Sequence, residues 1–144
     1  MSLEVKNSLA IAITYLWIGF ICAISFMEAW LKFKAPGVTM PIGLGIGRLV
    51  FNALNKVEWV FAIATIISIL VSKNSFFNID TVIFYVVVAL LILQTFWLLP
   101  LLDSRAQLLI EGKELPASNF HVYYVGMEIA KTACLFIFSI KLFK

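Results

Sequence analysis

His121, Tyr124, Glu128 and Lys131 recur at i, i+3, i+7 and i+10. On a helix this spacing stacks an imidazole, a phenol, a carboxylate and an ammonium along one face. Such a set can bind a polar or charged group, and its carboxylate can serve acid–base chemistry. Three further stripes offer similar groups. Arg48, Asn52 and Asn55 share a face, with Glu58 at its edge. Thr14, Trp17, Ser25 and Glu28 line one side of an earlier stretch. Gln94 and Arg105 superpose on a regular helix, provided that Pro100 does not rotate the last turn. Glu58 has no basic residue one turn away, its neighbours at that spacing being Leu54, Asn55, Phe61 and Ala62.

The elements that must carry these groups follow from composition. The chain has 144 residues, 62% hydrophobic and 13% charged, against about 45–50% and about 25% for a soluble domain. A domain this small keeps much of its surface in contact with solvent, so the excess cannot be hidden by burial. Its solvent is lipid. A soluble enzyme, a nucleic-acid binder and a disordered tail are thereby excluded. The net charge of +3 suits a neighbour of anionic lipid and is too small for nucleic acid. Cys22 and Cys134 stand alone in apolar runs, as small buried hydrophobes rather than a disulfide framework.

Four apolar runs, Leu9–Leu31, Ala53–Ser72, Thr81–Leu102 and Phe120–Ile140, are each long enough to cross about 30 Å of hydrocarbon as a helix. The first is too long for a signal-peptide core and lacks a small-residue cleavage site. The first loop, Lys32–Gly43, contains Pro36, Gly37 and Pro41 and is expected to break the chain. The second, Lys73–Asp80, is a short polar turn, and the third, Asp103–Asn119, carries an amphipathic segment before Pro116. Ser118 or Asn119 is a plausible N-cap for the last helix. The expected fold is therefore all-α, one integral membrane domain over 1–144. Its four transmembrane helices lie at 9–31, 44–72, 80–102 and 120–140, with an amphipathic segment at 103–114. Helices two and three, with their extensions, reach beyond the bilayer, and Pro100 bends or ends the third.

Placing the charges by depth sharpens the picture. Of 19 ionisable Asp, Glu, Lys and Arg residues, 13 fall in the half facing the first and third loops: Glu28, Lys32, Lys34, Arg48, Lys56, Glu58, Asp103, Arg105, Glu111, Lys113, Glu114, Glu128 and Lys131. The other half holds Glu4, Lys6, Lys73, Asp80, Lys141 and Lys144, all outside the apolar runs. The positive-inside rule then leans the first and third loops towards the cytoplasm. Glu128 and Lys131 together cost about 5–7 kcal/mol on insertion scales, whereas the apolar residues of that helix return only about 4. The helix needs partners for its charged face. The expectation is one water-accessible, charge-balanced pocket built from Glu28, Arg48, Asn52, Asn55, Glu58, Gln94, Arg105, His121, Tyr124, Glu128 and Lys131.

Blander roles stand beside these. Glu28 with Lys32 and Glu128 with Lys131 have the spacing of structural ion pairs. Arg48 and Arg105 near helix ends suit lipid phosphate as well as a ligand. Trp30, Trp59, Trp97, Tyr123 and Tyr124 fit an interfacial aromatic belt. The GLGIGR stretch, Gly43 to Arg48, follows no strand and is read as a turn into the second helix, not a nucleotide loop. With one histidine, bis-histidine haem is impossible, and the Glu-x-x-His pairs of a di-iron bundle are missing. Ser104, His121 and Asp103 lack a nucleophile elbow, and zinc at His121, Glu58 and Glu128 lacks ligand spacing. The sequence names no cofactor, catalytic residue or metal site.

The segments SFMEAWLKFKAP, GRLVFNALNKVEW, QTFWLLPLLDSRAQ and NFHVYYVGMEIAK resemble an uncharacterised bacterial four-helix membrane family. That family is related to the eukaryotic transmembrane protein 205-like proteins. The resemblance rests on the Phe and Pro around the first loop, Arg48 to Phe51, Arg105, and Phe120, His121 and Tyr124. It implies four helices in a bacterial inner membrane and, in the eukaryotic branch, a link to drug or metal-compound resistance. Three functions remain open. One is binding or transport of a small molecule or ion, with a homo-oligomer or partner subunit. Another is an enzyme acting on a lipid or isoprenoid, with Glu58 or Glu128 as acid/base and Lys131 or Arg48 orienting a head group. The last is an accessory or assembly subunit of a membrane complex.

Overall fold

The structure, a computed structural model, describes residues 7–72 and 78–143, excluding the side chain of Asp80. Four helices are long and apolar enough to cross a membrane: α1 (Ser8–Lys34), α2 (Met40–Val71), α3 (Thr81–Ile110) and α4 (Phe120–Lys141). Most of the expected second turn, Lys73–Asp80, lies outside the described residues, as do Glu4, Lys6, Lys73 and Lys144.

Helix ends follow local chemistry, and the start of α2 and the end of α3 differ from expectation. At the start of α1, Asn7 caps the helix by accepting the Ala10 N–H at 3.0 Å. The first loop is shorter than Lys32–Gly43, because α2 already begins at Met40. Pro41 occupies its first turn, where a missing N–H costs nothing. GLGIGR is consequently inside the helix and is not a turn. Gly43 and Gly47, one turn apart, make a flat strip against the end of α1. A Cβ on Gly43 would stand 2.0 Å from the Phe33 ring, and one on Gly47 would stand 3.1 Å from Lys32 Nζ.

The third helix does not stop at Leu102. It continues to Ile110, so the amphipathic segment is its second half. Two devices allow this. A wide π-turn at Gln94–Leu98, in which the Leu99 N–H bonds to the Gln94 carbonyl, precedes Pro100 and absorbs its lost hydrogen bond. The stop comes instead at Gly112, with φ +80°. There Lys113 N–H reaches the Leu108 carbonyl at 3.0 Å and Gly112 N–H reaches that of Leu109 at 3.1 Å, a Schellman ending.

The helices form a ring. α1 packs on α2 and α4, and α3 packs on α4 and, mainly through its second half, on α2. α2 and α4 face each other across the diagonal. The half nearer the chain ends has an apolar core of Ala10, Trp17, Ile21, Ala62, Phe84, Val87, Leu91, Leu135 and Phe138. A smaller cluster of Leu98, Leu99 and Tyr124, supported by Phe51 and Met127, closes the other half. Outside, Leu16, Phe20, Val60, Ile63, Val86, Phe96, Ile129 and Phe136 are exposed, whereas Glu58, Glu128 and Lys131 are buried. Apolar side chains outside and charges inside is the distribution that lipid selects. Phe84→Ala, opening a cavity in the apolar half, is expected to cost about 3–5 kcal/mol in reversible unfolding from mixed micelles.

Candidate functional site

Between the two apolar clusters lies a dry ionic centre to which every helix contributes. Lys131 Nζ of α4 is 2.5 Å from Glu58 Oε1 of α2 and 2.8 Å from Glu128 Oε1 of its own helix. Its remaining N–H donates to Gln94 Oε1 of α3 at 2.5 Å. Gln94 Nε2 in turn donates to Glu128 Oε1 at 2.6 Å. From α1, Trp17 Nε1 donates to Glu58 Oε1 at 2.9 Å, and Ser25 Oγ to Glu128 Oε2 at 3.1 Å. Glu58, Gln94, Glu128 and Lys131 have no exposed surface. The ammonium has three N–H groups and three acceptors, so its donors are used up. Among the described residues, Glu58 Oε2 is buried with no hydrogen-bond partner.

Two of these ligands sit where a helix widens. Cys22–Glu28 of α1 is a π-segment, as is Gln94–Leu98 of α3. Trp17 and Ser25, eight residues apart, would lie about 80° apart on a regular helix, and the wide turn reduces that offset. In α3 the surplus residue resets the phase. Arg105, expected in line with Gln94, is turned away, and Ala106 takes its place on the inward face. Arg105 instead donates to the Pro116 carbonyl at 2.6 Å and stacks over Phe120, tying the third loop to the bundle.

The end of the bundle near the first and third loops holds a cavity of about 280 Å³. Its polar wall is Lys32, Arg48, Asn52, Asp103, His121 and Tyr124, and its apolar wall includes Phe33, Leu44, Phe51 and Leu102. Arg48 grips Asp103 with two bonds, Nε to Oδ1 at 2.8 Å and Nη2 to Oδ2 at 2.9 Å. It also reaches Gln107 of α3, and Asn52 supports Asp103 at 3.4 Å. Glu28 stands behind Lys32 in an i, i+4 pair at 3.2 Å. Tyr124 is the partition. It lines the cavity and meets Phe51 edge-on at 5.2 Å.

The residues expected in one charge-balanced pocket are thus divided. Glu58, Gln94, Glu128 and Lys131 come together in the dry centre, and Tyr124 stands between it and the cavity. Arg48, Asn52 and His121 line the cavity, with Glu28 behind its wall. Asn55 belongs to neither. It donates to Thr95 Oγ1 at 2.9 Å, which also accepts Trp59 Nε1 at 3.0 Å, so Trp59 bridges α2 to α3 more than it serves a belt. Arg105 leaves the site for the third loop. Ser104 bonds to the Pro100 carbonyl at 2.8 Å, and Asp103 is held by Arg48, so neither is turned to serve His121. Trp17, Ser25, Lys32 and Asp103 join the site although none of them was among the residues expected to build the pocket. Trp17 and Ser25 had a signal, their shared stripe on the first run. Asp103 had none within its own helix.

Lys131→Met leaves two buried carboxylates without their cation and is expected to cost about 3–5 kcal/mol. Combining it with Glu58→Gln and Glu128→Gln removes every charge and is expected to restore most of that loss. Reversible unfolding of both variants is the measurement, and equal losses would assign the effect to packing instead of charge. Comparisons with family models, with curated proteins and with solved structures find no match to this chain.

Proposed function

We propose that the chain binds a small amphiphile with an anionic head group in the cavity near the first and third loops and transfers it between bilayer and water. The carrying observation is a cavity of about 280 Å³ that sets an apolar wall beside Lys32, Arg48 and His121, with Asp103 as the one carboxylate on it. An alkyl chain fits the Phe33, Leu44 and Leu102 side, and a head group fits beside the donors of Lys32 and Arg48.

In this reading the protein resides in a bacterial inner membrane with the first and third loops cytoplasmic. α2 and α3 have 32 and 30 residues, or about 48 and 45 Å at 1.5 Å per residue, against about 30 Å of hydrocarbon. Both therefore extend beyond the bilayer, which puts the cavity at head-group level. Kinship with the bacterial four-helix family belongs to the same proposal. It is supported by the position of the motif residues Arg48, Phe51, His121 and Tyr124, all of which line the cavity. Four helices enclose no complete permeation path, so a second copy or a partner subunit completes the route.

Thermal unfolding in detergent tests the binding step with dodecyl phosphate and dodecyltrimethylammonium as probes. A ligand at about 100 times its Kd contributes about 2.7 kcal/mol, a shift of several degrees. The phosphate is expected to give that shift and the ammonium none. Arg48→Gln, which removes the head-group contact, and Ala106→Phe, which fills the cavity, are each expected to abolish it. A shift with the ammonium alone, or one that survives both substitutions, would overturn the reading.

A further inference from the structure

The ionic centre contains two carboxylates and one ammonium, so with every group ionised it carries one surplus negative charge. Among the described residues the groups around the centre supply no second cation: Trp17 of α1 and Lys131 of α4 bond to Glu58, and Ser25 of α1, Gln94 of α3 and Lys131 bond to Glu128. Lys131 has no N–H left, and among the described residues Glu58 Oε2 has no partner although it is buried. A surplus charge without a counter-charge is strongly disfavoured in such a place.

We propose that this centre is a proton-binding site, which holds one proton on the Glu58 carboxyl. The free valence is a single carboxylate oxygen, which suits a proton. A hard metal ion takes six or more oxygen ligands, and among the described residues no group of three or more His, Cys, Asp or Glu could hold a metal.

On the side of the cavity, Tyr124 lines the wall and Ser25 Oγ donates to Glu128 Oε2 at 3.1 Å. A hydronium proton forms an O–H bond at Glu58 Oε2, the oxygen without a partner, and leaves water behind; Lys131 and Glu128 keep their charges, and the centre goes from one negative charge to none. This proposal is independent of what occupies the cavity.

The test is infrared spectroscopy of the whole protein in lipid vesicles, counting protonated carboxyl groups at neutral pH with sodium present and with sodium replaced by choline. The wild type is expected to show one such group in both salts. Glu58→Gln is expected to show none, and neither is Glu128→Gln, because acid and base then match one to one. Absence of a protonated carboxyl in the wild type would overturn the proposal, as would a band that vanishes when sodium is added.

Discussion

One ammonium buried among two carboxylates and an amide is the constraint to which the rest of the bundle conforms. Helices in lipid gain little from hiding apolar surface from each other, since the surroundings are as apolar as a leucine. What they cannot do is turn Glu58, Glu128 or Lys131 outward, because an unpaired charge in hydrocarbon is far costlier than any single packing defect. The pairing of Glu58 with Lys131 spans the diagonal of the ring, between helices that otherwise scarcely touch. Trp17 and Ser25 bring in α1 and Gln94 brings in α3, so the four inward faces are set by one set of bonds.

This centre also explains why the helices are irregular where they are. The π-segments contain Ser25 and Gln94, two of the polar ligands that complete the centre. A regular helix offers one inward face along its whole length. Here α3 must present Gln94 to the centre, Thr95 to Asn55 and Trp59, and Ala106 to the cavity. A surplus residue in the turn makes those demands compatible, and Pro100 just beyond it is accommodated by the same widening.

Much of this was legible in the sequence, for identifiable reasons. The α4 stripe of Tyr124, Glu128 and Lys131 is a matter of helical period, and its burial follows from the cost of exposing it. Glu58 stood out because its own helix offered no cation, and the cation is found on α4. What the sequence could not show depended on contacts between helices. The Arg48–Asp103 pair joins residues 55 apart. Arg105 was misplaced because a π-turn changes helical phase without any marker except a proline six residues after the turn begins. Pro100, Pro41 and GLGIGR read as breaks, since proline and glycine usually are, yet each occupies a helical position where its missing group is either unneeded or useful. The single pocket became two places because Tyr124, expected as one of its lining residues, is the wall between them.

The position of Lys131 along the chain has a consequence for biogenesis. Glu58 leaves the ribosome many residues before the cation that neutralises it, so the first three helices enter the membrane with an unanswered acid. α4, a poor inserter alone, finds in that acid a reason to enter. A chain truncated before residue 131 would instead leave the Glu58 carboxyl without the ammonium that ties α2 to α4.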